Sequence, residues 1–300
     1  MQAYDNLEPV RRTLETLSGA FDLNQRIADD PVELPHRYQR QQDIETAGFI
    51  ASCLSYGKVA LFKPVIERIL LGAGTSPYDF FYNFRVHRQA YLFNDIHYRM
   101  NTSHDITAFL HLLSLFLRRY GTLGDFFRTN FKEGDPTVLN ALSRFVHAFY
   151  AGNTSAVYGK NKRPFGLIQM LPSPDKGSTC KRQLMFLRWM VRGGDGVDFG
   201  LWTFIPRDRL VLPLDTHTAR MAMRLRLTER KSMDMKTAID ITNNLKKFDP
   251  DDPVKYDFAL CHFGISGHCP ARRTARLCSA CLFRKVCFYE PVNPSIRQGN

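Results

Sequence analysis

A chain of 300 residues is long enough for one or two domains whose core is stable without disulfide bonds. Its hydrophobic content of 44% and charged content of 23% are those of a globular protein, and they exclude a disordered or collagen-like chain. The 41 Lys and Arg residues exceed the 29 Asp and Glu residues and leave a formal net charge of +12. This excess predicts a polyanionic partner, with nucleic acid as the first candidate and an anionic membrane surface as the second.

The N-terminal segment has the pattern of a helix. Leu7, Val10, Leu14 and Leu17 recur at helical spacing, and the basic start and apolar run of a secretory signal are missing. No apolar run approaches the roughly 18 residues that a membrane span requires. We therefore expect a first helix, no insertion into a membrane and a cytoplasmic location.

Helical periodicity continues through the rest of the chain without a convincing series of alternating strands, which predicts an all-α fold. The predicted helices are two within 43–71, separated by a turn at Tyr56 and Gly57, and further helices at 105–120, 136–150 and 179–191. The polar stretch 152–163 predicts a loop. A later helix is expected to begin with Ser232 or Asp234 as its N-cap.

Four of the seven cysteines lie near the C-terminus in the spacing C-x8-C-x2-C-x5-C, at Cys269, Cys278, Cys281 and Cys287. The odd total and the missing secretion signal argue against a disulfide framework. Four thiolates this close in sequence can surround one metal centre, and a C-x2-C pair occurs both in tetrahedral zinc sites and in iron–sulfur clusters. The spacing alone leaves zinc and a [4Fe-4S] cluster as alternatives.

Basic residues separate these cysteines, among them Arg272, Arg273 and Arg276. Such a loop can contact phosphates, although it is also compatible with a solvated surface. The remaining cysteines lie outside the pattern and are predicted to be small core residues; they are Cys53, Cys180 and Cys261.

The cysteine block resembles that of the helix-hairpin-helix DNA glycosylases of the endonuclease III type. Their block runs C-x6-C-x2-C-x5-C around a [4Fe-4S] cluster, and here the first loop is two residues longer. The resemblance implies a two-lobed all-α fold, with a barrel lobe at 42–205 and a second lobe made of 1–41 and 206–300. It also implies that the four cysteines bind a [4Fe-4S] cluster. The resemblance further implies a monomer that is associated with the nucleoid and has double-stranded DNA with a damaged base as its substrate.

The string LPLDTHTARMAMRL resembles the segment of these glycosylases in which V-D-T-H opens a helix and supplies the essential acid. By that match Asp215 is the catalytic carboxylate. Departure of a damaged base leaves positive charge on the sugar, and a fixed carboxylate stabilises that charge or activates the attacking nucleophile. From the residues alone, Asp215 before a helix is more often an ordinary N-cap, and the cysteine block downstream is what favours the catalytic interpretation. His217 is interpreted as structural.

Bifunctional members of the family place a lysine at the start of the helix after the hairpin, where its amine forms a Schiff base with the sugar. Lys181 matches that position, and a helix N-terminus together with the charge of Arg182 favours the neutral amine that attack requires. Lys176 lies just upstream, and a surface lysine is the alternative interpretation. Arg182 is also a candidate contact to DNA.

The hairpin departs from the family pattern. The usual L-P-G-x-G turn appears as LPSPDKGSTCKR, without the glycine pair. Gly177 and Ser178 can still cap the next helix and offer backbone amides to a phosphate of DNA. The separation between Lys181 and Asp215 is similar to that of the archaeal 8-oxoguanine glycosylases, which implies an oxidised purine.

Three functions follow. The first is a DNA repair glycosylase, with strand cleavage through Lys181 as a further activity. The second is a non-catalytic iron–sulfur protein that binds DNA or RNA, because the chain also resembles a family of uncharacterised bacterial proteins that share its DTH and FLRWMVR strings. The third is an unrelated binding module with structural zinc.

Overall fold

The computed structural model describes residues 7–20, 27–270, 272 and 274–288. Within these ranges the regular elements are all helices, and the single β-type feature is an isolated bridge between Tyr98 and Asn101. The prediction of an all-α fold is therefore confirmed. In the same ranges no helix combines the length and the apolar character needed to cross a membrane.

The chain divides into two compact units, Asp22–Pro213 on the one hand and Met1–Phe21 with Leu214–Asn300 on the other. The sequence had suggested boundaries at 41/42 and 205/206. In this division the described residues 27–41 and 206–213 lie in the larger unit. Leu34 and Leu212 are buried, and the amide of Val138 donates to the carbonyl of Arg209 at 2.9 Å, which ties the second segment to that unit.

The fully described helices of the larger unit are α2 (Glu33–His36), α3 (Gln41–Leu54), α4 (Val59–Ala73), α5 (Pro77–Asn83), α6 (Val86–Gln89), α7 (Ser103–Tyr120), α8 (Leu123–Asn130), α9 (Leu139–Tyr150), α10 (Ser155–Tyr158), α11 (Phe165–Ile168) and α12 (Lys181–Val191). The predicted helices are present with shifted ends. The stretch predicted as a loop contains the one-turn helix α10. Gly159, with a φ of 73°, is the C-cap of this short helix.

Helix α3 lies at the centre of this unit and is buried from Asp43 to Leu54. Its Phe49 ring is 5.4–5.7 Å from the rings of Phe109, Phe145, Phe149 and Phe186, and these aromatic contacts make up much of the core. At Gly48 a Cβ would meet Met190 at 3.4 Å, which shows how closely α12 packs on α3. This packing fixes the helix that begins at Lys181.

A carboxylate lies inside this apolar core. Glu45 is fully buried, and its two oxygens accept hydrogen bonds from Gln41 Nε2, Trp202 Nε1 and the Gly124 amide, each at 2.9 Å. Burial raises the pKa of Glu45 because the charged form loses its hydration. The apolar stripe predicted for this helix did not reveal a buried acid.

The described helices of the smaller unit are α1 (Glu8–Ala20), α13 (Thr216–Arg224), α14 (Met235–Lys246), α15 (Asp257–Ile265) and α16 (Ala275–Ser279). Helix α1 confirms the predicted first helix and packs on α15. Its Glu15 accepts a hydrogen bond from Tyr256 Oη at 2.6 Å and pairs with Lys255 at 3.1 Å. Asp234 is the N-cap of α14, one of the two predicted residues.

Candidate functional site

The hairpin before α12 is built around a short 3-10 turn, Pro174–Lys176, in place of a glycine pair. Asp175 in this turn accepts a hydrogen bond from Ser143 Oγ at 2.6 Å and lies 3.2 Å from His147 Nε2, so the turn is attached to α9. The hydrogen bond from Ser143 is the main cause that lowers the pKa of Asp175. The residues that lengthen the hairpin are therefore held in place.

Two residues of the hairpin have left-handed backbone conformations. Gly177 has a φ of 74° and Cys180 a φ of 45°. The Cys180 amide donates to Ser178 Oγ at 3.2 Å, and its thiol is buried and donates to the Pro172 carbonyl at 3.4 Å. A non-glycine residue in this region is uncommon and often lies next to a functional position. Lys181, the first residue of α12, follows directly and is half-buried.

Arg182 is turned toward the protein. Its guanidinium donates to the backbone carbonyls of Cys53 and Gln169 and lies over the ring of Tyr56, 5.1 Å from its centroid. Burial lowers the pKa of Arg182. Among the described residues no carboxylate lies within ion-pair distance of it, so neutral dipoles and an aromatic ring replace the usual counter-ion. The predicted contact of Arg182 with DNA would therefore have to use N–H groups of the guanidinium that do not bind these carbonyls.

Asp215 is the N-cap of α13. Its Oδ1 accepts the amides of His217 at 2.9 Å and Thr218 at 2.8 Å, and its backbone is extended, with a φ of −119°. Oδ2 lies 3.6 Å from Sγ of Cys261. This is the geometry of an ordinary N-cap. Because capping also holds the carboxylate in one orientation at the start of the helix, the geometry is equally compatible with a catalytic role for Asp215.

The four C-terminal cysteines are brought together around one pocket. Its lining consists of Arg224, His268, Cys269, Pro270, Cys278, Cys281, Arg284 and Cys287. The cavity has a volume of about 40 Å³. A cavity needs roughly 10–15 Å³ of such space to hold one water molecule. In the part of the chain that the structure describes, however, no three Cys, His, Asp or Glu side chains are close enough to ligate one metal ion as they stand.

The donor chemistry of this pocket fits a thiolate-bound centre. Nη1 of the buried Arg224 donates to Sγ of Cys269 and to the Pro270 carbonyl, both at 2.8 Å. A guanidinium hydrogen bond to sulfur stabilises the thiolate form that ligates metals. Burial raises the pKa of Cys281, which by itself disfavours the thiolate form of that residue. Four sulfurs thus line a common space, and the guanidinium of Arg224 binds one of them.

The basic loop between the cysteines is exposed at Arg272 and at Arg276, which lies on α16. Arg273 lies outside the described residues. Arg284, by contrast, lines the cysteine pocket. The exposed arginines remain predicted contacts to phosphate.

The predicted site residues are divided between the two units. Gly177, Ser178, Lys181 and Arg182 belong to Asp22–Pro213, whereas Asp215 and the cysteines belong to the smaller unit. Sequence reasoning missed Arg224 and the contact of Cys261 with Asp215. Neither has a signature in a single sequence, because each depends on how α13 packs against distant segments.

Comparison with known proteins gives one match. No curated protein and no solved structure matched the chain. One family model matches residues 30–266, a region that contains Lys181 and Asp215 and ends before Cys269. The chain therefore belongs to the family described as "Protein of unknown function (DUF2400)".

Proposed function

We propose that this protein is a DNA glycosylase of the helix-hairpin-helix type that removes a damaged base, with an oxidised base as the expected substrate. The observation that carries the proposal is the anchored carboxylate of Asp215. Two backbone amides bind Oδ1, and hydrogen bonds of this kind favour the ionised form of a carboxylate. A fixed negative charge is what the reaction needs next to the sugar.

In the proposed reaction the bond between C1′ of the deoxyribose and the base nitrogen breaks, and its electron pair leaves with the base. The sugar then carries positive charge, which the Asp215 carboxylate stabilises without reorganising. Water, or the amine of Lys181, forms the new bond to C1′ and loses a proton, and the departing nucleobase anion takes up one proton. When the amine of Lys181 attacks, the bond between C1′ and O4′ breaks next and O4′ takes up a proton, which opens the sugar and leaves a Schiff base between Nζ and C1′; the Schiff base allows strand cleavage by elimination.

The position of Lys181 supports this second role. It is the first residue of α12, where backbone amides point out of the helix and favour an uncharged amine over a charged one. The left-handed Cys180 directly before it and the guanidinium of Arg182 directly after it fix the backbone on both sides. A lysine on a fixed backbone is better placed for attack than one on a mobile loop.

The proposed DNA contacts rest on charge and on the hairpin. The net charge of +12 favours a polyanion, and the turn at Gly177 and Ser178 leads into the N-terminus of an 11-residue helix that can accept a phosphate. Arg272 and Arg276 extend the basic surface of the other unit. We expect the protein to act as a monomer on duplex DNA in the cytoplasm.

Cys269, Cys278, Cys281 and Cys287 are the proposed ligands of a [4Fe-4S] cluster, with zinc as the alternative. Bound there, the group would cross-link the C-terminal segment and add folding free energy to it. Arg224 contributes a hydrogen bond to the first of these sulfurs. We assign no step of base removal to the group.

The decisive experiment is borohydride trapping on a panel of duplexes that carry oxidised, deaminated or alkylated bases, with base release measured in parallel. We expect release from at least one lesion and a trapped protein–DNA adduct. Lys181→Gln should abolish the adduct while leaving some release through water, and Lys176→Gln is the matched control because that lysine is exposed in the 3-10 turn.

The altered hairpin favours a second function, a non-catalytic protein that binds DNA or RNA. Its 3-10 turn, held to α9 by Asp175, replaces the glycines whose amides hold a phosphate in the family it resembles. Duplex binding without base release from any lesion in the panel would support this second function and contradict the glycosylase proposal.

A further inference from the structure

The thiol of Cys261 on α15 lies against the carboxylate of Asp215 at the start of α13. Sγ is 3.6 Å from Oδ2, a separation suited to a weak S–H···O hydrogen bond. Oδ1 of the same carboxylate accepts the amides of His217 and Thr218. The two oxygens are therefore contacted from two helices, Oδ1 by the first turn of α13 and Oδ2 by α15.

The position of Cys261 follows from the way α15 packs on α13. At Gly264 the two backbones approach so closely that a Cβ would lie 2.9 Å from Cβ of His217. The carbonyl of Gly264 lies 3.0 Å from His217 Nδ1 and accepts a hydrogen bond from Arg220 Nη2 at 3.2 Å. Because Cys261 precedes Gly264 by three residues, it lies on the same face of α15 and reaches Asp215.

We propose that Cys261 is a positioning residue for the carboxylate of Asp215. The inference rests on the proposed function, since a fixed orientation of Oδ2 matters only if the carboxylate faces a charged sugar. A thiol is a weak donor, so it limits rotation of the carboxylate while withdrawing little of the negative charge that stabilises the sugar. A hydroxyl at this position would orient the carboxylate in the same way and would bind it more strongly.

The first test compares Cys261→Ala with Cys261→Ser in single-turnover base release. Loss of one weak hydrogen bond should slow release by about three- to tenfold in Cys261→Ala, without a change in the dissociation constant for duplex DNA or in melting temperature. Cys261→Ser should recover most of the rate, because a donor is present again. Ser266→Ala, just after α15, is the control for side-chain removal in this region.

Two results would overturn the positioning role: a Cys261→Ala protein as fast as the wild type, or a Cys261→Ser protein as slow as Cys261→Ala. A fall in affinity or melting temperature that parallels the fall in rate would also overturn it, because that pattern indicates a structural role alone.

A second measurement does not depend on activity. Alkylation of Cys261 is followed by mass spectrometry of its peptide, in the wild type and in Asp215→Asn. A carboxylate beside a thiol disfavours the reactive thiolate, so Asp215→Asn should accelerate alkylation of Cys261 several-fold. An unchanged rate would overturn the inference even if the wild type releases bases. A wild type that releases no base would overturn the proposed function, whatever the alkylation rate.

Discussion

Asp215 and Asp234 provide a matched pair that separates catalysis from helix capping. Both begin a helix of the smaller unit, and both accept first-turn amides through Oδ1: Asp215 those of His217 and Thr218, and Asp234 that of Thr237 at 2.8 Å. If Asp215 is only an N-cap, the two Asp→Asn variants should behave alike. If Asp215 also stabilises the charged sugar, they should differ in activity but not in stability.

The expected effect on stability is small. Asparagine caps helices about as well as aspartate, so Asp215→Asn keeps the capping hydrogen bonds at Oδ1. At the helix terminus it loses the attraction between a negative charge and the helix dipole, and at Oδ2 it changes the weak contact with the thiol of Cys261. The attraction to the dipole is worth about 0.3–1 kcal/mol. Asp234→Asn should lose its own charge and, in addition, the ion pair with Arg230 at 3.1 Å, a pair on the surface that contributes little to stability because solvent screens it. The amide of Thr237 is the main cause that lowers the pKa of Asp234 to about 2.

The expected effect on base release is much larger and specific to Asp215. Removal of one fixed group that stabilises charge in a transition state typically costs about 10²–10³-fold in rate, or about 2.7–4 kcal/mol. We therefore expect Asp215→Asn to lose at least two orders of magnitude in single-turnover release and to retain its affinity for duplex DNA. Asp234→Asn should remain within about twofold of the wild type.

Single-turnover release of the base from a lesion duplex, urea unfolding and duplex binding by fluorescence anisotropy measure these three quantities. Equal rates of base release for Asp215→Asn and Asp234→Asn would refute the catalytic assignment and leave Asp215 as an N-cap. Unfolding of Asp215→Asn at a much lower urea concentration than Asp234→Asn would refute the stability argument.

Three further predictions concern the metal centre, the charge and an ion pair. Cys281→Ser should lose bound iron and inorganic sulfide and destabilise the C-terminal segment, whereas stoichiometric zinc in the anaerobically purified wild type would contradict the [4Fe-4S] assignment. Duplex affinity should fall with salt with a log–log slope of about 0.9 per neutralised phosphate, and an affinity insensitive to salt would contradict phosphate binding. A hydrogen bond from Arg144 lowers the pKa of Asp135 to about 2, so this pair stabilises the fold above the ordinary pKa of an aspartate and loses its effect as the pH falls through about 2. Asp135→Asn should therefore lower the free energy of unfolding at pH 7 by about 1 kcal/mol, a value reduced for solvent screening, and should have little effect near pH 2; equal losses at both would contradict the ion-pair explanation.

The elements that the sequence predicted correctly are those determined by local pattern. Helices α3 and α4 match the apolar stripe and the break at Tyr56 and Gly57, because the 3.6-residue period and a turn signal both act over a few residues. Asp234 is likewise a local cap. The four cysteines, which are close in sequence, line one pocket, and the metal centre predicted on them stays a prediction.

Glu45 illustrates what the sequence did not reveal. An acid one residue from the apolar stripe of a helix is ordinarily exposed, since burial of a carboxylate is costly. Its hydrogen bonds come from Gly124 and Trp202, which are 79 and 157 residues away in the chain. A partner at such a distance cannot be read from a helical pattern, and the one local donor, Gln41, does not distinguish a buried acid from an exposed one.

Arg182 shows how tertiary structure can change the physical meaning of a sequence expectation. The sequence predicts that the positive charge of Arg182 acts on Lys181 next to it. An exposed arginine would have only a weak effect of this kind, because salt screens its charge. The structure attaches its guanidinium to the carbonyls of Cys53, 129 residues away, and Gln169, 13 residues away, and places it over the ring of Tyr56. A partly buried charge held by neutral groups is screened much less by salt, and no described carboxylate neutralises it. If this charge acts on the amine of Lys181 as proposed, the effect should therefore persist at the ionic strengths at which contacts to DNA phosphates weaken.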